Sequence, residues 1–321
     1  MDTLARVASA EDRTGRGRPR GDGMRVVADF VTEPPFEVAF PADQTLPFVF
    51  NSPHSGGSYP AAFLERSRLD RRRIRLSEDT HVDHLFTHVT AFGAPLLRAH
   101  FPRAFLDVNR EPYELDPKMF AGRLPSYANV RSIRVAGGLG TIARVVAESE
   151  EIYPGPIPVD EALDRIEAIY KPYHATLRRL LAQTHVRFGA AVLVDCHSMP
   201  SVVRGQDSRS RADFVLGDRY GTSASRTLVE HAADTLTALG YSVAVNKPYA
   251  GGFITEHYGR PARGLHAIQI EVNRALYMDE RTLEPNANFH RLKADLVRFT
   301  AALVDFPALD LCPPAGRLAA E

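Results

Sequence analysis

The sequence predicts an α/β fold, a three-layer mixed sheet with helices on both faces, and two observations lead to it. Apolar runs of strand length alternate with amphipathic stretches of helix length, as expected when mostly parallel strands are joined by crossovers. Four of five clusters of polar, chemically capable side chains fall at expected strand ends, where open α/β sheets bind their ligands. The chain has 321 residues and no internal repeat or low-complexity linker. It therefore reads as one α/β domain over 34–312, between a disordered extension at 1–33 and a loose tail at 313–321.

In chain order, Arg13, Arg16, Arg18 and Arg20 are crowded among Gly15, Gly17, Pro19 and Gly21 without hydrophobic period, hence the disordered extension. Met24 opens the first segment with apolar content and is a second candidate start. Residues 47–50 read as a strand, 80–89 as a helix with Ser77 or Asp79 near its cap, and 94–99 and 104–108 as strands. A long helix over 159–184 places Leu163, Ile166, Ile169 and Tyr170 on one face and bends near Pro172. A buried strand runs from Ala190 to Asp195. Further strands are expected at 214–216, 242–245 and 266–272, and helices at 223–239 and 288–304.

The 39 basic side chains balance 39 acidic ones, so no net field draws the chain to nucleic acid or an anionic membrane. No stretch reaches the roughly 18 apolar residues of a membrane helix, and the N-terminus lacks a signal-peptide core, so a cytoplasmic protein is expected. The two cysteines, Cys196 and Cys312, offer no disulfide framework and no cysteine-rich zinc site. A bound metal must be held by histidines and carboxylates. The sequence leaves the oligomeric state open.

Five clusters carry the chemistry. In Asn51-Ser52-Pro53-His54-Ser55-Gly56-Gly57 a strand runs into a histidine and two glycines that permit close backbone approach to a ligand. Ser77-Glu78-Asp79-Thr80-His81-Val82-Asp83 opens a helix with three carboxylates, placed either for capping or for metal. In Asp107-Val108-Asn109-Arg110-Glu111, Arg110 either grips a substrate carboxylate or pairs with Asp107 or Glu111. Asp195-Cys196-His197-Ser198 ends the buried strand. Glu271 sits inside a β-rich run, where it needs Arg274 as a counter-charge or carries the raised pKa of a general base. A catalytic zinc takes three such ligands and keeps a position open; His54, His197 and one acid from Glu78 or Asp79 supply that set, with Glu271 as base. Cys196 points to the opposite face from His197 and reads as a core residue, and Asp195, on the same face as His197, as its supporting partner. The glycine-rich segment 136–141 reads as a mobile loop near the site. Tyr249, Gly251 and Gly252, with His257 and Arg260, read as a segment that closes over a small substrate.

Six ordered blocks together, residues 51–56, 79–83, 107–112 and 195–200 with Asn246-Lys247-Pro248-Tyr249-Ala250-Gly251-Gly252 and Glu271-Val272-Asn273-Arg274, resemble the N-formylglutamate amidohydrolase family, from about Pro47 to Ala302. The resemblance implies a phosphorylase/hydrolase-like fold similar to the zinc carboxypeptidases. It also implies zinc-dependent hydrolysis of N-formyl-L-glutamate to formate and L-glutamate in histidine breakdown. Carried onto this chain, it makes Asp79 the acidic ligand, with Glu78 second and Asp83 a supporting or helix-face group. It matches His197 to the late histidine ligand, Glu271 to the catalytic glutamate, and Asn109 with Arg110 to a substrate-carboxylate clamp. Because that substrate is a dianion, a second cation is expected from Arg204, Arg260 or Arg274. A hydrolase of another N-formyl or N-acyl amino acid, or a non-catalytic binding protein, is the alternative.

Overall fold

The computed structural model describes residues 34–146, 150–202 and 212–312. The expectations for 1–33, for 313–321 and for Arg204 lie outside the described residues. Among the described residues, seven strands form the main sheet: β1 (Phe36–Ala39), β2 (Phe48–Ser52), β3 (Leu96–Ala99), β4 (Ala191–Met199), β5 (Phe214–Gly217), β6 (Val243–Val245) and β7 (Leu265–Asn273). Their order across the sheet is β1-β3-β2-β4-β7-β5-β6. The centre, β3-β2-β4-β7, is parallel; β1 pairs antiparallel with β3, and β5 antiparallel with β7. All residues of β2 and β4 are buried, which is why they read as near-continuous apolar runs rather than alternating ones.

Helices cover both faces. The principal ones are α1 (Val82–Leu85), α2 (Val159–Arg165), α3 (Lys171–Phe188), α4 (Arg226–Ala238), α5 (Phe253–Tyr258) and α6 (Phe289–Val304). On one face Val49, Leu193 and Ala267 pack with Ala162, Tyr173, Leu177 and Leu181 of the α2–α3 unit. On the other, Phe50, Val194, Cys196 and Ile270 pack with Leu228 and Ala232 of α4 and Leu296 and Phe299 of α6. Between α2 and α3 the helix widens into a π-turn, Ile166–Tyr170, immediately before Pro172. The expected bend near Pro172 is therefore a change of helical type in the turn that precedes the proline.

Three expectations need correction. Residues 104–108 form turns, not a strand: the amides of Phe105 and Leu106 bond the Pro102 carbonyl, and that of Asp107 bonds Thr141. Their apolar run reflects burial alone. The helix expected over 80–89 starts only at Val82, because His81 before it adopts a left-handed backbone (φ 68°), and it breaks at Phe86 (φ −105°, ψ 8°) into α1 and a 3-10 segment, Thr87–Phe92. Finally, the strand expected to stop at Asp195 continues to Met199, so His197 lies within it rather than after it.

Candidate metal centre and cleft

The register of the central strands assembles the site. Parallel pairing aligns Val49 with Leu193 and Leu193 with Ala267, a purely apolar row. Two residues further on, the same face carries Asn51, Asp195 and Gln269 in one row, then His197 beside Glu271. The loop after β2 brings His54, and the segment before α1 brings Asp79.

His54, Asp79 and His197 form a buried group whose ligand atoms lie within 4.8 Å of one another. Both imidazoles turn Nδ1 toward the same Asp79 oxygen: Oδ2 is 2.9 Å from His197 and 3.5 Å from His54. Each ring is held from behind by a carboxylate, His54 Nε2 by Asp107 Oδ1 at 2.7 Å and His197 Nε2 by Asp195 Oδ2 at 3.0 Å. The other Asp79 oxygen faces Arg274 Nη2 at 3.1 Å, leaving Oδ2 for the cluster. Although burial opposes ionisation, the hydrogen bond from His197 and the attraction of the nearby His54 ring hold Asp79 well below the usual carboxylate range. Burial likewise opposes a charge on His197, yet Asp195 and Asp79 raise its pKa well above the ordinary value. A cation ligated by His197 Nδ1 must displace that proton. The residues fit such a cation: His54 Nδ1 is buried, aimed at this group and, among the described residues, without a hydrogen-bond partner. Carboxylate-backed imidazoles with an acidic oxygen suit zinc or a similar divalent ion.

Glu271 stands beside His197. Burial, opposed by the charge of His197 and reinforced by that of Asp79, pushes its pKa up to about 7. Gln269 Nε2 donates to Glu271 Oε1 at 2.8 Å, and the Gly252 amide donates to Gln269 Oε1, also at 2.8 Å. Gly252 is required there, since an added Cβ would lie 2.4 Å from the Asn109 side chain. These groups face a cleft of about 890 Å³ among the described residues. Arg103, Arg110, Arg134 and Arg274 line it, as do Tyr249, Gly251 and the apolar Leu76, Val145 and Val146. Arg110 has its pKa lowered by burial, with Arg103 and Arg134 adding repulsion against the attraction of Asp107, so three cations converge on one wall.

A buried two-histidine, one-aspartate group thus lies beside a glutamate in an arginine-lined cleft at the strand ends. The family model described as N-formylglutamate amidohydrolase matches residues 46–278, well over half of the chain. The chain belongs to this family. The N-formylglutamate deformylase of Pseudomonas putida is 32% identical over 238 residues, covering 73% of the chain and 83% of the relative. That of Pseudomonas aeruginosa is 30% identical over 262 residues, 81% and 90% of the two chains. The crystal structure of N-formylglutamate amidohydrolase from Ralstonia eutropha JMP134 superimposes with a TM-score of 0.77 at 38% identity, covering 84% of this chain and 96% of that one. A protein from Agrobacterium tumefaciens shares the fold at 17% identity and a TM-score of 0.60.

Within this member of the amidohydrolase family, several expected site residues do not converge. Glu78 is not part of the group: its carboxylate binds the Tyr59 hydroxyl at 2.5 Å, Arg75 and Thr80. Asp83 instead faces Arg98 and His84, each at 3.7 Å. His257 stacks on Phe253, and Arg260 folds back onto the Glu256 and Gly259 carbonyls; both are exposed and away from the cleft lining. Arg274 binds the Glu78 and Leu76 carbonyls, Ser198 and Asp79 rather than pairing directly with Glu271. Gly56 serves packing and not ligand approach, because an added Cβ would lie 2.3 Å from the Phe101 carbonyl oxygen. Sequence reasoning missed Arg103, Arg134 and the link from Asp107 to His54. Gly137, Leu139 and Gly140 do reach the cleft.

Proposed function

We propose that the chain hydrolyses N-formyl-L-glutamate to formate and L-glutamate in a metal-dependent reaction, with His54, Asp79 and His197 holding the ion and Glu271 as general base. The observation that carries this reading is the convergence of both imidazole Nδ1 atoms on one Asp79 oxygen, with Glu271 in the adjoining strand position. Family membership and the Pseudomonas relatives, which are N-formylglutamate deformylases, support the substrate.

When bound, zinc or a like divalent ion supplies positive charge that polarises a carbonyl and acidifies a water. Glu271, fixed by Gln269, accepts a proton from the attacking water and delivers it to the nitrogen of the departing glutamate. The buried setting keeps its carboxylate basic enough for that task. Two substrate carboxylates call for two cations. Arg110 takes one; Arg134, whose nearest acidic partner among the described residues is Glu114 at 3.8 Å, takes the part expected of Arg204, Arg260 or Arg274. The apolar wall of Leu76, Val145 and Val146 favours one second reading, hydrolysis of another N-acyl amino acid.

Purified protein should contain about one divalent ion per chain and release formate from N-formyl-L-glutamate faster than from N-formyl or N-acetyl derivatives of neutral amino acids. Equal rates across that panel would remove the substrate assignment. Protein that neither contains nor takes up a divalent ion would remove the metal-dependent mechanism.

A further inference from the structure

One short stretch of helix, Tyr170 to His174, reaches the supports of both metal-centre histidines. Tyr173, fully buried at the start of α3, donates its hydroxyl to Asn51 Oδ1 at 2.5 Å. Asn51 Nδ2 donates to Asp195 Oδ1 at 2.7 Å, and Asp195 Oδ2 accepts from His197 Nε2 at 3.0 Å. The direction of each bond is fixed, because a carboxylate only accepts and the amide must then present its oxygen to the phenol. On the other side, Tyr170 donates to the Arg110 carbonyl at 2.7 Å and His174 Nε2 to the Val108 carbonyl at 2.8 Å. Those two carbonyls flank Asn109, whose amide bonds the same Asp107 oxygen that supports His54. Positions 170, 173 and 174 share a helix face, and the preceding π-turn widens the helix just where that face begins.

We propose that Tyr173 is a positioning residue for the metal centre, acting through Asn51 and Asp195 to fix the ring of His197. The assignment rests on the reading of His54, Asp79 and His197 as metal ligands. A side chain three hydrogen bonds from the ligand atom thereby sets how tightly the metal is held. Removing a partner that orients a ligating imidazole costs on the order of ten- to a hundredfold in metal affinity, and a more distant link costs toward the lower end.

The test is zinc titration of the apo protein, with a competing chelator, for wild type and for Tyr173→Phe, Asn51→Ala, the double variant and Tyr153→Phe. Tyr153 is a buried phenol bonded to Arg165, outside the relay, and controls for loss of a buried hydroxyl. Tyr173→Phe is expected to weaken zinc binding by about tenfold and Asn51→Ala by more, whereas Tyr153→Phe keeps wild-type affinity. The double variant should bind no more weakly than Asn51→Ala alone, because the phenol acts only through the amide. If Tyr173→Phe does not fold, Asn51→Ala carries the reading: unchanged affinity there overturns the relay. Wild-type affinity in folded Tyr173→Phe, or additive losses in the double variant, overturns the proposal while leaving the metal centre intact. Wild-type protein that takes up no zinc overturns both.

Discussion

The two faces of strands β2, β4 and β7 are equally buried and chemically opposite. On the face covered by α4 and α6, Phe50, Val194 and Ile268, then Cys196 and Ile270, stay apolar or weakly polar toward the strand ends. On the other, Val49, Leu193 and Ala267 give way within two residues to Asn51, Asp195 and Gln269, then to His197 and Glu271. Asp195 and Cys196 are adjacent and both fully buried. Burial therefore does not separate core from site; the hydrogen-bond partners do. Each polar member has one: Asn51 from Tyr173, Asp195 from Asn51 and His197, Gln269 from the Gly252 amide. Such groups cost several kcal/mol apiece if left unpaired, so the face is tolerable only as a connected network.

The harshest challenge to this contrast is Glu271→Gln, which keeps shape and removes the basic oxygen. It should retain metal, measured by elemental analysis, and lose about 10²- to 10⁴-fold in kcat. Near-normal turnover would take the base off this face altogether. Arg134→Met comes next, with an expected loss of about 10- to 100-fold in kcat/KM for the dianionic substrate and little change for a formyl amino acid with a neutral side chain. An equal loss on both would assign Arg134 to scaffolding. The pH profile sharpens the comparison further. As the proposed base, Glu271 has to be ionised, so kcat/KM should fall about tenfold per unit as pH drops below its pKa, which burial places at about 7 and a bound cation draws lower. A profile flat from pH 8 to 4 would exclude it. The smallest effect belongs to the apolar face. Cys196→Ala should cost about 1 kcal/mol of stability in denaturant titration and leave turnover unchanged; loss of activity there would break the contrast.

The polar face was legible in the sequence because the change from apolar to polar occurs inside single strands, and the period of two assigns Asp195 and His197 to one side and Cys196 to the other. The cations were less legible. Arg103 precedes a run whose apolar character suggested a strand, and Arg134 sits on a single turn, Ile133–Ala136, with no periodic signal. Their meeting depends on contacts far apart in the chain. The same applies to Asp107, which looked like a partner for Arg110 and also receives His54 and Arg103. Glu78 and Asp79 are neighbours of like chemistry, and only their surroundings tell them apart: Tyr59 and Arg75 claim the first, two histidines and Arg274 the second.

The alignment of Asp195 with Gln269 and of His197 with Glu271 bears on assembly as well as chemistry. If β4 slid by one residue against its neighbours, every side chain would change sides. Asp195 and His197 would then enter the packing against α4 and α6, while Cys196 and Val194 would face the cleft. An all-apolar buried strand tolerates such slippage cheaply. This one does not, so the residues assigned to hydrolysis also act as a proofreading device against pairing the central strands one residue out of step.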